Sequence, residues 1–446
     1  MVPARSVSAM NDLSRANREE HLPRAAHAAS YYAATANAAP EYPVLDGDVE
    51  CDACVIGGGI AGCSSALHLA ERGYRVVLLE DQRIGWGASG RSGAQALFGV
   101  ACGQDKIRHY LGADDARKVF DVTVEGIDLL RSLITRYSIA CDWRSGQMHM
   151  AIKPRQREEL ARWVDELAAL GYRSPRFVDR TELSTMIATK RYIGGMYDPN
   201  SGHMHPLNYT LGLAAAATSR GVRIYEGSRA LSYRDGKVVT VRTARGVVRA
   251  NHLVLCANAY IDGLSPPLAC RIMPVATYIV ATEPLGKERA SSLISSNMAV
   301  TDINWVLDYF RCSTDHRLLF GGRVSYSGLD PLNTEKATRA RMLRVFPQLA
   351  DAHIEYSWGG FVDITMNRAP DFGRLGPNVY FLQGFSGHGI VLAGIAGKLA
   401  AEAVAGTAER FDVFARIAHS PFPGGPLLRR PALVLAMLFL RLRDLL

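Results

Sequence analysis

The stretch Val55 to Gly62, "VIGGGIAG", decides the fold. Before it, "ACVI" is a short apolar run. After it, "IAGCSSALHLAERG" carries Ala66, Leu67 and Ala70 at helical spacing and stops at Gly73. "YRVVLLE" follows, a second buried strand that ends in Glu80. Strand, tight turn, helix and strand make the βαβ unit in which a G-x-G-x-x-G spelling gains meaning. Gly57 permits the sharp turn, Gly59 lets backbone approach a pyrophosphate, and Gly62 lets helix pack closely on strand. The helix start at Ile60 and Ala61 turns free N–H groups toward the same phosphates. Glu80, eighteen positions beyond Gly62, with Asp81 beside it, is placed to accept hydrogen bonds from ribose hydroxyls. A 2′-phosphate would be repelled there, which disfavours NADP. The unit alone leaves NAD and FAD open.

Two later stretches favour flavin. "GWGASGRSGAQ" (85–95) follows the second strand at once, where a nicotinamide domain would proceed to another strand and helix. Its Gly87, Ala88, Ser89, Arg91, Ser92, Gly93 and Ala94 suit contacts to a diphosphate and a ribityl chain; a surface linker is the plainer alternative. "VYFLQGFSGHGIVLAGIAGKLAAEAVAG" (379–406) reads as strand, glycine turn and a helix so apolar that it must be buried all round. The start of that helix presents unpaired N–H groups inside the protein. The pyrimidine edge of a flavin, negative when reduced, is a fitting partner for Gly384, Phe385, Ser386, Gly387, His388, Gly389 and Ile390. His388 is read first as a packing or hydrogen-bonding residue and second as a candidate catalytic base.

The 446 residues exceed what one hydrophobic core usually supports, so two domains are expected. The net charge of +8 comes from scattered Lys and Arg, which argues against nucleic acid as a partner. Eight cysteines at irregular spacings do not make a disulfide scaffold and read as reduced thiols of a cytoplasmic protein. Cys51 and Cys54 spell CxxC, but inside a strand an odd offset sends their side chains to opposite faces. His203 and His205 in "GHMHP" lack an accompanying ligand set, so no metal is expected. Residues 1–28 read as a flexible extension. In "RRPALVLAMLFLRLRDLL" (429–446) the uncharged run of ten residues is short of the roughly 20 that span a bilayer. It reads as a docking tail over 411–446, with peripheral membrane contact as the alternative.

Together with "SYYAATAN" (30–37) and "WGGFVDITMNRAPDFGR" (358–374), these stretches resemble the FAD-dependent amine and amino-acid oxidoreductases related to D-amino acid, glycine and sarcosine oxidases. The resemblance runs from about Ser30 onward. It implies an α/β fold with a discontinuous Rossmann-like FAD-binding domain over 45–100, 200–269 and 357–410. An α+β substrate domain, built on an antiparallel sheet that roofs the flavin, takes 101–199 and 270–356. "NHLVLCANAYI" resembles the family strand that returns to the cofactor, with a turn at Ala257 to Ala259. Trp305, Tyr309, Trp358 and Phe361 are candidates to line the substrate pocket, although large aromatics serve cores equally well. Locally, 105–137 is expected to be helical, "IACDWRSGQMHMAI" to form two short strands, and "GHMHPLNYTLGLAAAATSRGVRIYEGSRA" to give turn, helix and strand.

Absences refine the chemistry that the resemblance implies. Family members that oxidise amino acids carry an arginine shortly after a Trp-x-Gly signature; here Val362 stands there, so a carboxylate beside the reacting carbon is disfavoured, with Arg368 or Arg311 as substitutes. No cysteine follows Cys312, and Arg91 replaces the histidine that other members use for attachment, so FAD is expected to be non-covalent. Leu318, Leu319 and Phe320 offer no oxygen-activating lysine, which keeps oxygen and quinone both open as acceptors. The expected activity is oxidation of the primary amine of a gamma-glutamylated di- or polyamine, as in putrescine breakdown, giving aldehyde, ammonia and hydrogen peroxide. A D-amino acid or secondary-amine (sarcosine- or glycine-like) dehydrogenase is the nearer alternative. A non-catalytic flavin-binding subunit is the more distant one.

Overall fold

The computed structural model describes residues 25–304, 306–325 and 333–423. Two sheets organise them. The first, of eight strands, runs in the order Asp371–Arg374, Val379–Gln383, Val247–Leu255, Val49–Ile56, Val76–Leu79, Arg223–Tyr225, and a hairpin of Ser232–Arg234 and Val239–Arg242 extends it beside Val247–Leu255. The five strands from Val379–Gln383 to Arg223–Tyr225 are mutually parallel. Both faces of such a sheet must be covered, which is why "VVLL" at 76–79 is apolar throughout and buried at every position. Helices Ile60–Glu71 and Gly389–Val404 cover one face, resting on Ala53, Val55 and Leu78.

The second sheet, of nine strands, runs Ile354–Thr365, Ile272–Thr282, Leu318–Ser325, Tyr309–Cys312, Ala299–Asp302, Arg144–Ala151, Gly194–His203, Gln95–Ala96, with Arg176–Val178 paired to Gly194–His203. It is antiparallel except where Ala299–Asp302 lies parallel to Arg144–Ala151. On its outer face Phe310 and Phe320 pack against Met342 of helix Thr334–Val345 and against Phe346 at that helix's C-cap. On the opposite face Tyr32, Ile279, Leu319 and Trp358 form a separate cluster with the short helix Tyr31–Ala34.

Several local expectations change. "IACDWRSGQMHMAI" yields one strand, Arg144–Ala151, after a loop. The turn read at Gly202–His205 begins later, because strand Gly194–His203 continues through His203. The helical stretch from 105 breaks at Gly112 (φ 80°) into Gln104–Leu111 and Ala113–Arg136. Strand Ile354–Thr365 belongs wholly to the second sheet, and so does Gln95–Ala96. The divisions drawn at 200 and 357 therefore fall inside strands Gly194–His203 and Ile354–Thr365, whose partners lie far away in sequence. Residues 25–28 are held on the body: Ala25 N–H donates to Gln82 Oε1 at 2.7 Å, and Ala26 O accepts from Trp86 Nε1 at 3.1 Å. The rest of the N-terminal extension, the stretch 424–446 and Trp305 lie outside the described residues.

Cys51 and Cys54 share one core cluster, contrary to strict alternation. The N–H groups of Asp52 and Ala53 both donate to Arg75 O, so the strand slips by one residue between the cysteines. Ala250 and Leu253 on the neighbouring strand slip likewise into the same cluster. Both cysteines are buried free thiols, and burial pushes Cys51 up to about 11.

Candidate active site

Strands Val49–Ile56, Val247–Leu255 and Val379–Gln383 are adjacent and parallel, so their carboxyl ends deliver Gly57, Ala257 and Gly384 to one edge of the sheet. That edge is where open parallel sheets bind nucleotides. At the first turn Gly57 has φ 108°, and a Cβ there would lie 2.6 Å from Cys256 O. A Cβ on Gly62 would lie 1.8 Å from Gly57 O, so helix and turn touch through bare backbone. The helix Ile60–Glu71 starts without a side-chain bond from its N-cap Gly59 and without an acidic residue in its first turn. Ser89 Oγ accepts from Ile60 N–H at 3.0 Å, which brings the 87–94 loop over the helix start. Glu80 accepts from Gly58 N–H at 2.6 Å and from Gln82 N–H at 2.8 Å, while burial pushes its carboxyl up to about 7. Asp81 pairs instead with Arg229 at 3.8 Å.

In the loop, Arg91 donates from Nε to Trp86 O at 2.7 Å and lays its guanidinium 4.2 Å from the Trp86 ring centre. Ser92 Oγ accepts from Ala94 N–H at 3.3 Å, and Ala94 has φ 65°. Trp358 Nε1 donates to Arg91 O at 3.0 Å. A Cβ on Gly93 would meet the Tyr309 ring at 2.6 Å. Trp358 and Tyr309 thus stand over this loop, whereas Phe361 sits edge-on to Tyr260, 6.3 Å between ring centres.

The late turn is held by a carboxyl that the sequence reading passed over. Asp363 Oδ2 accepts from Gly384 N–H and from Phe385 N–H at 3.2 Å, and the Asn258 side-chain amide donates to both carboxyl oxygens. Ser386 N–H donates to Asp363 O at 3.0 Å. One buried side chain therefore joins the roof sheet, the 256–258 turn and the entrance to helix Gly389–Val404. Burial pushes it up to about 7. His388 is the N-cap of that helix without a side-chain cap bond, and burial, with Arg368 nearby, lowers it to about 4, so it is neutral at ordinary pH. The two helices that start at the site lie in backbone contact: a Cβ on Gly397 would be 2.6 Å from Ser65 N and 2.8 Å from Ala61 O. Ser64 Oγ fastens the pair by donating to Gly394 O at 2.6 Å.

His203 and His205 are both occupied structurally. His203 Nε2 lies 2.7 Å from Asn297 O, and His205 Nδ1 accepts from Asn208 N–H at 3.1 Å to cap helix Pro206–Ser219. Among the described residues no three His, Cys, Asp or Glu side chains gather as metal ligands.

A family of FAD-dependent oxidoreductases matches residues 52–403. The chain belongs to that family. Gamma-glutamylputrescine oxidoreductase of Escherichia coli is 42% identical over 94% of this chain and 98% of its own length. A probable oxidoreductase, OrdL, of Haemophilus influenzae is 39% identical over 94% and 97%. Among solved structures, glycine oxidase from Geobacillus kaustophilus superposes with a TM-score of 0.70 over 83% of this chain and all of that one, at 20% identity, and so shares the fold.

The residues fit the family's cofactor. Two helix starts without a bond from their N-cap side chains, two glycines, Gly57 and Gly62, whose Cβ would strike backbone, and a buried acid at the end of the second strand converge on one edge. FAD, when bound, supplies the redox chemistry by accepting two electrons from the substrate. The protein is an FAD-dependent oxidoreductase. Asp363, Asn258 and Gly397 went unread in the sequence. An acid inside "GGFVDIT" and a glycine inside an otherwise packed apolar helix are the signals that could have found them.

Proposed function

We propose that the enzyme oxidises the terminal primary amine of a gamma-glutamylated diamine. With oxygen as acceptor, amine, oxygen and water give aldehyde, ammonia and hydrogen peroxide. The observation that carries the reading is the 42% identity, over nearly the full length of both chains, to a relative named for gamma-glutamylputrescine. Val362 supports it: no arginine stands at that point of strand Ile354–Thr365 to grip a carboxylate beside the reacting carbon.

In this reading the cofactor lies against Gly57–Gly62, Glu80, the 87–94 loop, Ala257 and Gly384–Ile390. Tyr309 and Trp358 border the reacting end of the substrate. The neutral amine needs only orientation over the cofactor and exclusion of water, which a roof of packed aromatics provides. His388, neutral and fixed at a helix start, serves as a hydrogen-bonding group there.

Anaerobic mixing tests the proposal. Gamma-glutamylputrescine should bleach the flavin band of the purified protein, and D-alanine and sarcosine should leave it intact. The reverse pattern would make it an amino-acid or secondary-amine dehydrogenase, and no bleaching by any amine of a broad panel would make it a non-catalytic flavin subunit. Readmitted oxygen should restore the band with one peroxide per turnover; recovery only with a quinone would replace the acceptor.

A further inference from the structure

We propose that the pocket around Arg311, between strand Tyr309–Cys312 and helix Tyr31–Ala34, is the subsite for an α-amino acid head group, the free end of a gamma-glutamyl amine. The proposal rests on the substrate reading above and deepens it. Arg311 is 4% exposed. Its Nη2 donates to Tyr32 Oη at 3.1 Å and its Nη1 lies 3.4 Å from His203 Nδ1. Its Nε has no hydrogen-bond partner, and among the described residues no carboxylate pairs with it. Both partners are neutral, since burial lowers His203 to about 3 and raises Tyr32. A guanidinium never gives up its charge in a protein, and a buried cation without a counter-ion is costly. An anion from outside would relieve that cost.

The lining says which kind of anion. Asn297 shares the pocket, and its buried Oδ1 is an acceptor with no donor. Asp142 and Arg144 are exposed at the mouth. An unanswered donor and an unanswered acceptor in one cavity, with one charge of each sign at its entrance, complement a group that carries a carboxylate and an ammonium together. A simple anion would meet the Asp142 carboxylate unfavourably. The free end of a gamma-glutamyl group has the required pair of charges.

The pocket also lies on the correct side of the roof. Tyr309 and Arg311 alternate along one strand and so share a face. Tyr309 packs on Gly93 of the cofactor loop. A long substrate could then place its amine end near that loop and its amino acid end at Arg311. This separation agrees with Val362 where a clamp beside the reacting carbon would stand.

The test compares the holoenzyme with Arg311→Gln, using gamma-glutamylputrescine and N-acetylputrescine, which lacks the head group. The ratio of their kcat/KM values should fall about tenfold to a hundredfold in the variant, the effect of losing a charge-assisted hydrogen bond. An unchanged ratio would overturn the proposal. L-Glutamine carries the same head group and needs no turnover; it should raise the Tm of the parent by a few degrees and leave that of Arg311→Gln unmoved. If gamma-glutamylputrescine fails to bleach the parent flavin, the substrate reading falls, and the glutamine shift still decides the pocket. Glutamine shifting both proteins or neither, or sodium chloride matching its effect, would overturn the pocket. Should Arg311→Gln not fold, Asp142→Asn and Arg144→Gln, both at the exposed mouth, must weaken the glutamine shift.

Discussion

Asp363 is a carboxyl without a cation among the described residues, satisfied by two backbone N–H groups and an amide. Those donors belong to the turns that follow strands Val247–Leu255 and Val379–Gln383, so the side chain fixes where the helix at Gly389 begins. Replacing it by alanine strands buried donors, at about 1–3 kcal/mol each. Asp363→Ala should therefore retain FAD roughly tenfold less tightly, read by fluorescence of flavin released on dilution. Asp363→Asn should be milder, since its oxygen can still accept from Gly384 and Phe385 while Asn258 turns its own oxygen toward the new amide. An alanine variant that keeps its flavin like the parent would show that the turn holds itself.

The elements meet by way of missing side chains. Helices Ile60–Glu71 and Gly389–Val404 come from opposite ends of the chain and converge only because Gly397 lets backbone reach backbone. Gly397→Ala would force a methyl to 2.6 Å from Ser65 N, and neither main chain can yield without parting the helices. A loss of about 1–3 kcal/mol is expected, seen as a lower Tm and a lower flavin content. Gly394→Ala, one turn earlier, is the contrast. Its added Cβ would find nothing nearer than 4.0 Å, so the helical preference for alanine should leave it neutral or up to about 1 kcal/mol more stable. Equal melting temperatures for the two variants would refute the close-approach account.

Across the whole molecule, buried titratable groups set how stability follows pH. Burial lowers His27, His68, His205 and His388 to about 4, and His149 and His203 to about 3. Between those values and the ordinary 6.5 the unfolded chain holds the extra protons, so these groups make stability rise with pH. Glu80, Asp302 and Asp363, raised to about 7, act in the opposite sense, because the folded protein holds their protons and stability falls as pH rises from about 4 to 7. Burial also lowers His252 and His419 and raises Asp81 and Asp308, so eight imidazoles stand against five carboxyls. The FAD-free protein should melt at a lower temperature at pH 4.5 than at pH 6.5, and a higher melting temperature at the acid end would contradict the balance. No single helix among the described residues is long and apolar enough to cross a membrane.

What the sequence determined by itself is whatever acts over a few residues. Glycine at 57, 59 and 62, the helix after them and the acid at 80 follow from local sterics and periodicity, and these were enough to imply a nucleotide turn. The helix at 389 was legible for the same reason, since an apolar run with glycines before it allows few conformations. Tertiary structure alone decided which strands share a sheet, because the partners of Gln95–Ala96 and Ile354–Thr365 lie far away in sequence and no local pattern encodes them. It also decided that Asp363 is enclosed by donors and that Arg311 is buried without a counter-ion among the described residues. A side chain's charge is written in the sequence, but the solvent and partners that give the charge its energy exist only after the chain has folded.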